Sequence, residues 1–197
     1  MATISALQTA AIQVLTREGL GHCTTTRIAR RAGVSVGTIY QYYPNRDVLL
    51  AAVLERHLDG FSASVIGACQ EVAGKPIAEM TRHLVAVLLR LKMHDPQEAA
   101  VLYAVAAEKT GKNIALTVHN LMLPAIAEML RSAPDAEFPR LRVTAEVFLS
   151  IFLGLPRTML EGYASAEFTE SLATQLETAL LAYLQAVGTG TGPAHND

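Results

Sequence analysis

The sequence predicts an all-α protein of about nine helices, and three observations predict it. Apolar residues recur at three- and four-residue spacing in segment after segment. No stretch alternates Val, Ile or Thr with polar residues as a half-buried strand would. Glycines, prolines and capping residues punctuate the chain at helical intervals. With 197 residues, 51% of them hydrophobic, there is apolar material for a substantial core.

Ile4, Leu7, Ala11, Val14 and Leu15 set a first helix from about Thr3 to Glu18, stopped at Gly19. Thr24 or Thr25 caps a second helix with Ile28, Ala29 and Ala32 on one face. Gly33 ends it in the left-handed conformation, and Val34 dips back to the core. Ser35 then caps a third helix, roughly Val36 to Tyr43, too short to stand alone and held through Ile39 and Tyr43. Asn45 caps a long fourth helix with the stripe Leu49, Val53, Leu54, His57, Leu58, Phe61 and Val65, and Asp47 in its first turn complements the dipole. Gly74, Lys75 and Pro76 break the chain before a helix from Ile77 to Lys92. Asp95 and Pro96 start the next, running to about Lys109. Gly111 and Lys112 separate it from a helix near Ile114 to Arg131, bent at Pro124. After the loop SAPDAEFP, Pro139 opens a helix to about Glu161, disturbed near its end by Gly154 and Pro156. The last helix spans about Glu167 to Val187.

These elements divide into a three-helix head over residues 1–46, a larger helical body over 47–187, and a disordered tail over 188–197. Charge follows the division. Residues 1–50 carry five arginines against two acids, a net of +3, while the remainder carries a net of −5. A basic head on an acidic body is the asymmetry expected when only the head meets phosphates. The uncharged run Asn113 to Ala127 is interrupted by His119, Asn120 and Pro124 and is too short to span a bilayer, so no membrane partner is expected. The opening MATISALQTAA lacks a basic stretch before an apolar block, so no secretory signal is expected, and two cysteines without disulfide or metal spacing suit a reducing cytoplasm.

Two helices joined by a glycine turn, the second presenting hydroxyls and an amide, have the form of a DNA-binding helix-turn-helix. The run RIARRAGVSVGTIYQYYPNRDVLL, residues 27–50, resembles the signature of the tetracycline-repressor (TetR) family of bacterial transcription regulators. The resemblance rests on the glycine turn, the Thr-Ile-Tyr run, the second tyrosine and the proline before the next cap, and covers about the first quarter of the chain. It implies that Thr38 and Tyr40 donate hydroxyls to phosphates, that Tyr42 meets phosphate or base, and that Gln41 lies at base edges. Gln41 could hydrogen-bond an adenine, and Val36 could pack on a thymine methyl. Thr24, Thr25 and Thr26 stand at a helix mouth that favours phosphate. Ser35 joins this set as the cap, Gly37 allows close approach, and Arg46 takes the place of the family's usual lysine near the backbone. Val36 stands where the family often has a basic residue, and no Lys or Arg precedes Leu7, both of which lower sequence-independent affinity. Arg30 and Arg31 fit a solvated face equally well.

A single small head reads too little DNA, so two must act together. The last two helices carry more apolar surface than one bundle buries, and Val147, Ile151, Leu172, Leu176, Leu180 and Tyr183 are the candidate interface of a homodimer. The resemblance also implies a pocket in the body for a small-molecule effector that releases the DNA. Phe61, Met80, Leu84, Met93, Tyr103, Met122, Phe152 and Met159 are candidate lining residues, although plain core packing is the simpler role for each. No cofactor or metal is expected: no histidine pair has ligand spacing, and no nucleophile elbow, phosphate loop or zinc-hydrolase motif supports an enzyme. The expectation is therefore a homodimeric repressor on a near-palindromic double-stranded operator. The alternative is a helical adaptor or ligand-binding protein whose head makes protein rather than DNA contacts.

Overall fold

The computed structural model describes residues 2–190, and among these it contains nine α-helices and no strand. They are α1 (Ala2–Glu18), α2 (Thr25–Ala32), α3 (Val36–Tyr42), α4 (Arg46–Glu71), α5 (Ile77–His94), α6 (Pro96–Ala107), α7 (Lys109–Arg131), α8 (Leu141–Leu160) and α9 (Ala166–Val187), with a 3₁₀ turn at Leu20–His22. The helices form two compact units, Met1–Gly60 with Asp95–Val118, and Phe61–His94 with His119–Asp197.

Most of the helix signals act as read. Gly19 leaves α1 at φ 77°, and Asn45 Oδ1 accepts from the Val48 N–H at 2.9 Å to cap α4. Asp95 caps α6 by accepting from the Glu98 N–H at 2.8 Å, with Pro96 at the first helical position, where its missing N–H costs nothing. Gly111 is a different matter. Rather than separating two helices it lies inside α7, which begins at Lys109 directly after Glu108. A Cβ at Gly111 would stand 2.3 Å from the Val105 carbonyl oxygen and 2.7 Å from Ala106 Cα, so glycine is required there for close backbone approach. Pro124 and Pro156 are carried within α7 and α8, and α8 continues past Gly154 to Leu160.

The first unit is built on one core: Leu7, Ala11, Val14 and Leu15 of α1, Ile28 and Ala29 of α2, Ile39 of α3, and Leu49, Leu50, Val53 and Leu54 of α4. Leu102 and Val105 of α6 close it, so the compact unit around α2 and α3 extends beyond residues 1–46. In the second unit α9 packs on α5 and α8 through Leu172, Leu176, Leu180 and Leu184. The α5 N-terminus is covered by the loop after α7, where Ser132 Oγ accepts from the Gly74 N–H at 2.8 Å and Asp135 Oδ1 from the Ile77 N–H at 3.0 Å. These satisfy donors that a helix start leaves open. The expected tail begins at Gly188, yet Thr189 and Glu137 pair as an antiparallel bridge through two hydrogen bonds of 2.9 Å, and residues 191–197 lie outside the described residues.

By length and composition alone, residues Gly111–Arg131 and Leu141–Leu160 could cross a bilayer, with mean hydropathies of 1.2 and 1.4. The expectation that no such segment exists rested on a shorter uncharged run. The core helix of a globular body passes the same test, and α8 turns Ala145, Phe148, Leu149 and Phe152 inward.

Candidate nucleic-acid interface

Local chemistry places the reading elements. Thr24 accepts from the Arg27 N–H at 3.3 Å and so starts α2. Gly33, at φ 70°, ends it, while the Val34 N–H reaches back to the Ala29 carbonyl at 3.0 Å. That bond closes the turn and aims α3. Ser35 Oγ then accepts from the Thr38 N–H at 3.0 Å, which gives a seven-residue helix a defined first turn.

Burial separates the two faces of α3. Ile39 is fully buried and Tyr43, just past the end of the helix, is 7% exposed, whereas Tyr40 is 54% and Tyr42 46% exposed. Ser35, Gly37 and Gln41 are also exposed, with Val36 and Thr38 half-buried at the edge. The exposed face therefore carries two phenols, an amide and a hydroxyl. Ser35 Oγ and Thr38 Oγ1 lie 2.9 Å apart, so one hydroxyl proton is shared between them and the other can be donated outward. A Cβ on Gly37 would lie 3.6 Å from Ser35 Oγ, an ordinary contact, so nothing inside the head demands glycine there. Thr25 is half-buried and Thr26 exposed.

The arginines divide by their partners. Arg27 pairs with Glu18, and Arg31 Nε donates to Gln13 Oε1 at 2.6 Å, which ties both to α1. Arg46 donates to Asp47 Oδ1 from Nε and Nη2 at 2.9 Å. Because that pair is exposed and weak, a phosphate can replace the carboxylate.

One buried contact was not anticipated. Gln8, only 9% exposed, sits among Leu7, Ala11 and Leu15; its Nε2 donates to Tyr43 Oη at 3.2 Å and its Oε1 accepts from Arg56 Nη1 at 3.1 Å. A half-open cleft of about 450 Å³ borders Gln8, Arg56, His57 and Glu98. His57 Nδ1 and Glu98 Oε1 are 3.5 Å apart there.

The candidate pocket residues do not form one set. Phe61, Met80, Leu84, Met122 and Phe152 are core of the second unit, Met93 is exposed, Met159 is half-buried, and Tyr103 belongs to the first unit. Two polar groups share that core. Lys92 is 5% exposed with Nζ 4.3 Å from the centre of the Phe61 ring, and burial lowers its pKa to about 8. The Thr81 hydroxyl is buried without a hydrogen-bond partner. Both cysteines are buried, and desolvation raises Cys23 to about 11 and Cys69 to about 12. Among the described residues no three His, Cys, Asp or Glu side chains gather as a metal site would need.

The candidate dimer residues also separate. Leu172, Leu176 and Leu180 face inward and are covered by α5 and α8, so they have no surface to offer a partner. Apolar periodicity finds a helix's buried stripe without saying which element buries it. Val147, Ile151 and Tyr183 keep exposed area, and on α8 Val143, Val147, Ile151 and Leu155 follow one another at four-residue spacing on the outer side.

Comparison with known proteins covers both parts of the chain. Residues 7–53 match the family described as bacterial regulatory proteins, tetR family, and residues 76–184 match the tetracyclin repressor-like C-terminal domain. An HTH-type transcriptional regulator of Haemophilus influenzae is 25% identical over 162 residues, 71% of this chain and 86% of that protein. A TetR-family transcriptional regulator from Mesorhizobium loti shares the fold with a TM-score of 0.76 at 16% identity, covering 95% of this chain and 98% of that one. The fatty acid degradation regulator FadR from Bacillus halodurans superposes with a TM-score of 0.70 at 18% identity, over 92% and 95% of the two chains.

Proposed function

Because the chain belongs to the TetR family of bacterial transcription regulators and carries its helix-turn-helix DNA-binding domain, we propose that it is a homodimeric repressor of a near-palindromic operator, released by a small, largely apolar ligand. The observation that carries this reading is the division of α3. Ile39 and Tyr43 anchor the helix, while Tyr40, Gln41 and Tyr42 are exposed. In the major groove Gln41 would read an adenine through N6 and N7, with Val36 against a thymine methyl. Phosphates on either side would be held by the free Ser35–Thr38 hydroxyl proton, by Tyr40, by Arg46, and by the mouth of α2 with Thr24, Thr25 and Thr26.

Two heads about 34–36 Å apart would then meet successive faces of the duplex. The outer side of α8, from Val143 through Val147 and Ile151 to Leu155, is the surface best suited to join two copies, and Tyr183 on α9 also keeps exposed area. For the ligand, a relative that regulates fatty acid degradation and the apolar core around Phe61, Met80 and Phe152 favour an apolar body. α4 supplies residues to both compact units, which gives ligand and DNA one shared element. Release requires that the ligand bind the DNA-incompetent state more tightly, since equal affinity shifts nothing.

Selection of binding sites from random duplex DNA at two salt concentrations tests the reading. Enrichment of a near-palindrome with half-sites one turn apart, weakening as salt rises, is the expected result. No enrichment by a folded, dimeric protein would instead point to protein contacts by the head.

A further inference from the structure

We infer that Gln8 is a positioning residue for DNA reading: its amide ties the end of the reading helix to α4 through a relay, Arg56–Gln8–Tyr43, that is buried at Gln8 and Tyr43 and open to solvent at Arg56. The inference rests on the DNA-reading role of α3 and concerns residues that do not themselves face the DNA.

Gln8 is an expensive residue for its place. It lies in the stretch of α1 that packs the head, between Leu7 and Ala10–Ala11, and is 9% exposed. A leucine there would bury apolar surface without desolvating an amide. The glutamine's two polar ends are spent on distant partners, 35 and 48 residues away in sequence: Tyr43 Oη at 3.2 Å and Arg56 Nη1 at 3.1 Å. Tyr43 is the residue at which α3 stops, and its own N–H still bonds the Ile39 carbonyl at 2.8 Å. Its neighbour Tyr42 and, one residue further back, Gln41 are the exposed groups of the reading face. Arg56 stands on the third turn of α4, at the edge of the solvent-open cleft. Because α3 has only seven residues, an anchor at its last turn controls the pitch of the whole element. The relay fixes that anchor relative to α4. Its hydrogen bonds have directional demands that the apolar contacts of Ile39 lack.

Loss of the relay should therefore degrade discrimination while the head stays folded. Gln8→Leu alone leaves the Tyr43 hydroxyl without this partner and lowers stability somewhat, whereas removing both partners, Gln8→Leu with Tyr43→Phe, comes closer to neutral. The test uses the full-length protein, the duplex it selects from a random library, and a scrambled duplex of equal length. For Gln8→Leu the ratio of selected to scrambled affinity should fall about tenfold, with the affinity for scrambled DNA and its salt slope unchanged. Tyr43→Phe, which removes only the hydroxyl, should lose the same factor, and the double variant should lose about tenfold rather than a hundredfold because both act through one bond. Gln8→Glu, which can accept from both Tyr43 and Arg56, should recover most of the ratio. Multiplicative losses in the double variant, an unchanged ratio in Gln8→Leu, or a parallel fall in stability and in both affinities would each overturn the relay while leaving the DNA-reading function standing. If the wild-type protein selects no sequence at all, the operator reading fails and the relay fails with it.

Discussion

Substitution at Leu176 and at Ile151 should have opposite consequences, although both were candidates for one interface from their spacing. Leu176 is fully buried, in the middle of the α9 stripe that meets α5 and α8. Leu176→Ala removes three carbons at about 0.8 kcal/mol each, and the cavity left behind raises the total cost to about 3–4 kcal/mol. For a chain of this size that lowers the unfolding midpoint by roughly 10 °C. Ile151 is half-buried on the outer side of α8, so Ile151→Glu should cost the isolated chain no more than about 1 kcal/mol. Across a two-fold axis, however, each copy would place a carboxylate in the partner's apolar stripe, and the dimer dissociation constant should rise at least about a hundredfold. Sedimentation across a concentration series measures association. Urea unfolding of Leu176→Ala in the Ile151→Glu background measures chain stability free of the dimer's contribution. A dimer of native affinity in Ile151→Glu, or dissociation of Leu176→Ala without loss of unfolding free energy, would refute the assignment of faces.

Other outcomes follow from the same geometry. Gln41→Ala should relax discrimination at particular base pairs in a saturation series of the selected site, whereas Arg46→Ala should weaken all duplexes alike and reduce the salt slope by about one. Ser35→Ala removes the α3 cap and should lower stability by about 1 kcal/mol in thermal melts; Ser35→Asp should restore the cap but weaken DNA binding by placing a carboxylate near the phosphates. Lys92, lowered to about 8 by burial, binds fewer protons when folded than when unfolded between pH 8 and its ordinary value of 10.5. Stability should therefore rise with pH across that window, by an amount on the order of 3 kcal/mol, and Lys92→Met should flatten the rise in denaturant titrations.

What the sequence makes legible here is local chemistry. Ser35, Asn45 and Asp95 cap helices because a short oxygen-bearing side chain at those positions can reach an N–H three residues on, and Gly33 turns the chain because it alone accepts φ 70° without strain. The exposed groups of α3 were legible for the same reason: Ile39 and Tyr43 define one face, and what remains is the other. Relations between distant parts were not legible. The α9 leucines form a clean stripe whether α5 or a second copy covers them. Gln8 reads as one polar residue in a helix, since nothing near it announces Tyr43 or Arg56. Gly111 reads as a break, and only the approach of the Val105 carbonyl shows it to be a helical residue that must lack a side chain.

The brevity of α3 sets a limit in information. Seven residues at 1.5 Å rise measure about 10 Å, roughly three base-pair steps. Two such helices can specify about six base pairs, a pattern that random sequence meets once in roughly 4,000 positions, while a genome offers a million or more. The alphabet of α3 is thus too small to name one address. In the proposed dimer a fixed distance between the two words is already counted in that figure, since unlinked words of three would each recur about every 64 positions; the remaining bits would have to come from groups outside α3 and from the shape of the duplex itself.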